Sequence, residues 1–355
     1  MEKVKLGDVA IEKRETWTGS TQGVPIIGLE HLVPGEVTLS SWDSDTDNTF
    51  SKMFRKGQVL LGRRRVYLKK AVIAQFDGIC SGDITVIEAI PGKISSRLLP
   101  FVIQNERFFD YAMQGSAGSL SPRVKWEHLK DYEFNLPDYE EQDCLADKLW
   151  SALKLRESYQ SLLQATDEIV KSRFIEMFSS EPKMSLSEVS KITMGSSPDS
   201  KYYNLEKQGL PFYQGKTEFG DMYIGEASVY CKEPVRIAEP GDILMSVRAP
   251  VGTVNFNVIE CCIGRGLASI RPKRIIEPLY LFYALRLKEA DIDALGTGST
   301  FKAINKDTLF SFKIEVGNKA QQNEFVHFAE QADKSKFELK KAIEKIDKVM
   351  RALMQ

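Results

Sequence analysis

The chain contains itself twice. Leu6-Gly7-Asp8-Val9 returns as Leu186-Ser187-Glu188-Val189 at an offset of 180, and Gly118-Ser119, Leu129 and Gln142 return as Gly298-Ser299, Leu309 and Gln322 at the same offset. Between these anchors Lys56-Gly57-Gln58-Val59-Leu60-Leu61 answers Pro240-Gly241-Asp242-Ile243-Leu244-Met245 at 184, so a few residues have been inserted. A frame that survives altered loops means two copies of one folding unit, each about half of the 355 residues.

Each copy divides again. Its first part consists of short β-branched or aromatic runs between Gly and Pro, such as Val24 to Gly28, Gln58 to Leu61, Ala71 to Phe76 and Ile84 to Ile87. This predicts a twisted, mostly antiparallel sheet with a few helices, among them Leu98 to Met113 and its counterpart Pro278 to Ala290. From Tyr139 to Phe178 and from Lys319 to Gln355 there is neither Pro nor Gly, and helix formers dominate. Both stretches carry heptads in one register: Leu145, Leu149, Ala152, Arg156, Tyr159, Leu163, Thr166, Val170 and Arg173 match Phe325, Ala329, Ala332, Lys336, Leu339, Ile343, Ile346, Met350 and Leu353. Asp138 before Glu141 and Asn318 before Gln321 have capping-box spacing, which predicts matching helix starts. Parallel pairing would put Arg156 in one layer with Lys336, so the two helices are expected to run antiparallel about a pseudo-two-fold axis. The expected architecture is α+β, with mixed units at 1–138 and 181–318 followed by long helices at 139–180 and 319–355. At about 1.5 Å per residue each helix spans roughly 55–60 Å, a spacer suited to two sites about a turn of duplex DNA apart.

Composition limits the classes. Hydrophobic residues at 43% and charged residues at 27% are ordinary for a globular chain, and no apolar run approaches the roughly 18 residues of a membrane span. A cytoplasmic address without membrane association is expected. Five cysteines, odd in number and without zinc spacing, read as reduced thiols, and three histidines leave little room for metal chemistry. Gly209 lies one residue too far from Gly215-Lys216-Thr217 for a phosphate-binding loop, and Gly264-Arg265-Gly266 lacks the third glycine of a dinucleotide site. No Gly-x-Ser-x-Gly elbow or His-x-x-x-His pair occurs, and no catalytic residue is assigned.

Binding chemistry remains. The net charge is only −1, yet Lys52 to Lys70 holds eight Lys/Arg residues and no acid. Arg63, Arg64, Arg65, Lys69 and Lys70 follow an apolar strand, at a position where a ligand can reach them, and arginine suits phosphate and guanine. The second copy offers Arg248 at the equivalent place, with Gln214, Lys216 and Arg265, where Gln can pair with adenine. Two further loops, with Ser119 and Arg123 in one and Ser299, Thr300 and Lys302 in the other, combine small residues, hydroxyls and a cation, a composition suited to phosphate.

The order of these motifs, repeated with alternating long helices, resembles the specificity subunits of type I restriction-modification enzymes. The resemblance covers nearly the whole chain: the Leu-Gly-Asp-Val opening, Val24 to Gly28 and Leu210 to Gln214, the strand at 241–244, and Leu136-Pro137 with Glu141-Gln142 leading into the long helix. It implies two target recognition domains, each reading one half of an asymmetric bipartite site in double-stranded DNA. The helices would fix the spacing and dock two methylation subunits, with restriction subunits as further partners. It implies no catalysis and no cofactor in this chain, since S-adenosylmethionine, ATP and Mg would serve the partner subunits. The chain is shorter than many such subunits, which fits a minimal variant or a subunit serving a related enzyme whose methylation and cleavage activities share one polypeptide. The competing classes are a DNA-modifying enzyme in its own right and a protein scaffold assembled through the helices.

Overall fold

The computed structural model describes residues 2–116, 121–298 and 302–354. The chain forms two compact units, residues 1–160 with 340–355, and residues 161–339.

In the first unit Glu2–Lys5 pairs antiparallel with Glu133–Leu136, tying the start of the copy to the strand that leads into the long helix. The expected sheet is split in two. One is four-stranded and antiparallel, in the order Ala10–Lys13, Ile84–Ala89, Val59–Gly62, Ala71–Ile73. The other runs Asp43–Ser44, Pro25–Ile27, Gly78–Cys80, Lys52–Phe54, with its middle pair parallel. Strands buried on both faces, such as Val59–Gly62, explain the continuous apolar runs.

The second unit repeats this plan. Ser190–Met194, Leu267–Pro272, Ile243–Ser246 and Val254–Phe256 form the antiparallel sheet. The other gains a strand and becomes Tyr203–Asn204, Val229–Cys231, Leu210–Tyr213, Cys261–Ile263, Ile237–Ala238, again with one parallel pair.

The helix expected over Leu98 to Met113 is broken at Asn105, whose extended backbone (ψ 138) ends Leu99–Gln104 and whose side chain caps Glu106–Gln114 by accepting from the Arg107 N–H. The counterpart is likewise two helices, Pro278–Leu287 and Glu289–Ala294.

The long helices are Tyr139–Phe178 and Lys319–Leu353, and they pack together. The second begins with the expected capping box, Gln321 N–H to Asn318 at 3.0 Å and Asn318 N–H to Gln321 at 2.8 Å. At the first start the Glu141 N–H meets the backbone carbonyl of Asp138 instead, at 2.8 Å. In the first unit Arg156 meets Asp347 at 3.4 Å. In the second Lys336 meets Asp167 at 2.8 Å, the same pair moved by 180 in both members. Each seam cation thus faces an acid of the other helix, as antiparallel pairing requires.

Buried Gln142 and Gln322 fasten each helix to its own globular part. The Gln142 side chain accepts from the Ser95 N–H at 2.7 Å and donates to the Pro137 carbonyl at 3.1 Å. That of Gln322 accepts from the Glu277 N–H at 2.7 Å and donates to the Gly317 carbonyl at 2.8 Å. Apolar contacts complete the joint. Ala146, Leu149 and Leu153 enter the first core, while Phe174 and Phe178 join Tyr280 and Phe325 in the second, with ring centroids of Phe178 and Tyr280 4.8 Å apart. At these ends the buried surface is wider than the heptad stripe, adding Ala146, Leu153, Phe174 and Phe178 to stripe residues such as Leu149 and Phe325, because there the helices lie on a globular part.

Candidate nucleic-acid interface

In the first copy the segment after Val59–Gly62 makes a tight excursion before Ala71–Ile73. Arg65 and Lys69 take left-handed backbone (φ 53 and 52) on either side of the 3-10 turn Val66–Leu68. Left-handed backbone at a residue with a side chain costs on the order of 1 kcal/mol or more, so the surroundings must hold it. They do so in two ways: Val66 is buried as a plug, and the backbone is tied ahead of the turn, Arg65 N–H to the Pro122 carbonyl at 2.8 Å, and across it, Gly62 N–H to the Lys70 carbonyl at 2.9 Å. Arg64 lies opposite Arg123 in an isolated bridge, which brings the arginine run and the loop arginine into one site.

Asp83 sits at the centre of this site. Arg123 donates to both its oxygens, at 2.7 and 3.2 Å, and Arg64 lies 3.6 Å away while also donating to the Ser121 hydroxyl at 3.0 Å. The hydrogen bond from Arg123, and then its charge, hold the Asp83 carboxyl below the ordinary aspartate range against the opposing effect of burial. Lys70 turns inward to the Leu29 carbonyl at 2.6 Å. Arg65 is exposed, and Lys69 is half-buried.

The second copy builds the same junction from other side chains. Arg248 lies opposite Ala303 as Arg64 lies opposite Arg123. Val247 N–H meets the Gly266 carbonyl at 2.9 Å, and Ile304 N–H meets the Val247 carbonyl at 3.0 Å, matching Val124 N–H to the Arg63 carbonyl at 3.0 Å. Gln214 follows the strand Leu210–Tyr213, and its backbone is pressed by the two glycines flanking Arg265. A Cβ on Gly266 would come within 2.1 Å of the Gln214 carbonyl oxygen, so only glycine fits there. Gln214, Arg265 and Arg248 thus stand on adjoining segments, all exposed. Lys216, two residues beyond Gln214, is exposed as well. Lys302 is engaged by Asp293 at 2.5 Å. Ser119, Ser299 and Thr300 lie outside the described residues.

Sequence reasoning missed the acids. The stretch from Lys52 to Lys70 contains none, but the fold brings Glu12 to Lys52 at 3.6 Å and Glu15 to Arg55 at 3.0 Å, so the stripe is partly neutralised from outside. Burial pushes the Lys52 ammonium down despite Glu12. The positions of Glu12 and Asp83 at a strand end and a turn carried no signal of this proximity.

The model of the type I restriction modification DNA specificity domain family matches residues 181–348. A putative type I restriction enzyme MjaX specificity subunit of Methanocaldococcus jannaschii is 46% identical over 127 residues, 36% of this chain and 30% of that protein, so the match spans under a third of the relative's length. A solved chain from a study of complex assembly and conformational transition of the type I R-M system aligns over 99% of this chain and 96% of its own, with 26% identity and a TM-score of 0.65. The S subunit of a type I restriction-modification system from M. genitalium shares the fold over 100% of this chain and 96% of its own, with 15% identity and a TM-score of 0.60.

Proposed function

We propose that the chain is a member of the specificity-subunit family of type I restriction-modification systems and serves as the non-catalytic, DNA-reading subunit of such a complex. Each copy reads one half of a bipartite, asymmetric duplex site. The observation that carries this reading is the junction built twice on one backbone pattern with different side chains, Arg63 to Arg65 with Arg123 in one copy and Gln214, Arg248 and Arg265 in the other. A shared frame with divergent tips suits two different half-sites. Arginine and glutamine supply the bidentate donors that base edges and phosphates accept.

The long helices set the distance between half-sites and present docking surface. Leu155, Leu162 and Ile169 are about half exposed at seven-residue spacing on the central helix, a stripe suited to helices of two methylation subunits. Methyl transfer from S-adenosylmethionine, and any cleavage with ATP and Mg by restriction subunits, then belong to the partners.

The test is recovery of the tagged chain from its host at moderate salt, followed by mass spectrometry and selection of duplexes from a random pool. Recovery of an adenine methyltransferase in about twofold excess, with an enriched bipartite site, is the expected result. Arg64→Ala should relax one half-site and Arg248→Ala the other. Binding of S-adenosylmethionine by the purified chain alone would favour an enzyme, and failure to bind any duplex even with partners would leave a scaffold.

A further inference from the structure

One spot breaks the repeat. Backbone pairing equates Glu12 with Ile192, since they face Ile87 and Ile270 at corresponding strand positions. Matching backbone hydrogen bonds and bridges equate Arg63 with Val247 and Arg123 with Ala303. Arg14, two residues past Glu12, falls on Met194. Four apolar residues in the second copy are therefore four charged residues in the first. Val247 belongs to the second core with Ile192 and Met194 packed against it, whereas the first copy opens here into a cavity of about 400 Å³.

The cavity is lined by five cations, Arg14, Lys52, Arg63, Arg123 and Lys125, against the two carboxylates Glu12 and Glu127. Its internal pairing occupies three of the five cations. Arg14 meets Glu12 at 2.8 Å and Glu127 at 3.3 Å, Lys52 donates to the Ile84 carbonyl at 2.8 Å, and Arg123 is held by Asp83. The Nε of Arg63 is buried without a hydrogen-bond partner among the described residues. A buried charged donor without an acceptor is costly, and the second copy shows that valine serves the frame at this position. A net positive cavity lined by the Arg63 guanidinium fits an anion.

We propose that this cavity seats one phosphodiester group of bound duplex DNA on Arg63, making the first copy the electrostatic anchor and leaving the second to bind without an equivalent contact. The inference rests on the DNA-reading function and adds to it a site of stated chemistry. The same group could be offered by free inorganic phosphate, so the experiment includes both.

The variant is Arg63→Val, which installs the residue that the second copy carries and should leave thermal stability unchanged or higher. Duplexes of varied sequence are titrated with the full-length wild type and variant across a salt series. A lost phosphate contact lowers the slope of log K against log salt by about 0.9 and weakens binding alike for every duplex, by about tenfold or more at low salt. In parallel, inorganic phosphate is titrated against both proteins by thermal shift. A rise in the wild-type melting temperature at submillimolar phosphate without any change in duplex slope would assign the site to the free anion and overturn the proposal. Wild-type slope and affinity in the variant, or a loss confined to one base position, would also overturn it while the DNA-reading function stands. Failure of the wild type to bind any duplex would remove both. A second variant, Arg14→Met, also taken from the other copy, checks that the effect follows the cavity, with an expected loss smaller than that of Arg63→Val because Arg14 already has carboxylate partners.

Discussion

Gln322→Met tests how each long helix is fastened to its globular part. Methionine keeps an unbranched chain of similar length, so little volume is lost and the change removes the hydrogen bonds. Two short ones go, to the Glu277 N–H at 2.7 Å and to the Gly317 carbonyl at 2.8 Å, with a weaker one to the Ile275 carbonyl at 3.4 Å. Gln322 is only 1% exposed, so water does not replace it. Leaving a buried acceptor bare costs about 2 kcal/mol and a half-buried donor about 1, which makes the expected loss about 3 kcal/mol. With a urea m-value of about 2 kcal/mol/M for a unit of this size, the midpoint should fall by about 1.5 M. The assay can assign the loss to one unit. All four tryptophans, Trp17, Trp42, Trp126 and Trp150, lie in the first unit, so their fluorescence follows that unit while circular dichroism follows both. Gln322→Met should move only the second unit's share of the dichroism transition and leave the tryptophan transition in place, whereas Gln142→Met should move the tryptophan transition together with the first unit's share of the dichroism. A loss under 1 kcal/mol, or equal movement of both probes, would refute the claim that these glutamines hold their own unit.

Three further outcomes follow from side-chain environment. Cys144 is exposed while Cys80, Cys231, Cys261 and Cys262 are buried, and burial pushes the Cys80 and Cys261 thiols up to about 12, so a thiol reagent at pH 8 should titrate one group in the native protein and five in denaturant. Phe178→Ala removes a fully buried ring packed on Tyr280 and Phe325, and calorimetry should show a loss of about 3–5 kcal/mol in the second unit. The Asp83 carboxyl is held below its unfolded value of about 3.9 by Arg123. Its contribution is therefore complete well above pH 4 and is lost progressively as pH falls below about 4 and through the lower folded value, so Asp83→Asn should lose stability at pH 7 and the gap to wild type should narrow as pH falls below about 4.

The repeat was legible because it is a property of the backbone frame. Residues such as Gln142 and Gln322 recur where the same N–H and carbonyl must be satisfied twice. The heptads were legible for the same reason, since a stripe of fixed period needs no knowledge of the fold. What the period hid was the extra width of the buried surface where a helix lies on a globular part: Ala146, Leu153, Phe174 and Phe178 on the central helix, and Gln322 on the C-terminal one, stand off the stripe and are buried against parts whose position no local pattern encodes. The break at Asn105 had a local signal, an Asn before Glu106 that caps the next helix, overlooked in favour of one continuous apolar run. At the candidate interface the arginines could be read off the chain, but the charge around them could not, because Asp83, Glu12 and Glu15 arrive from separate strands and turns.

The two cations placed at the helix seam offer the most direct check on helix direction. Arg156 and Lys336 occupy equivalent heptad positions, and each meets the equivalent aspartate of the other helix, Asp347 and Asp167. Only an antiparallel arrangement can satisfy both pairs at once, because a parallel one in register puts the two cations together. Lys336 is 12% exposed and also contacts Asp333 at 2.7 Å, whereas Asp167 is 66% exposed. Screening therefore limits the Lys336–Asp167 coupling to about 1 kcal/mol or less. Lys336→Glu should cost more than that, since it sets a poorly hydrated carboxylate beside both Asp167 and Asp333. Adding Asp167→Lys should recover part of the loss, and the cycle of single and double variants should return a favourable coupling that shrinks as salt rises. Exchanging Arg156 for Ala in the Lys336→Glu background is the control. Antiparallel pairing keeps those positions apart and predicts simple additivity, and a coupling there as large as that with Asp167 would rule out the helix register described.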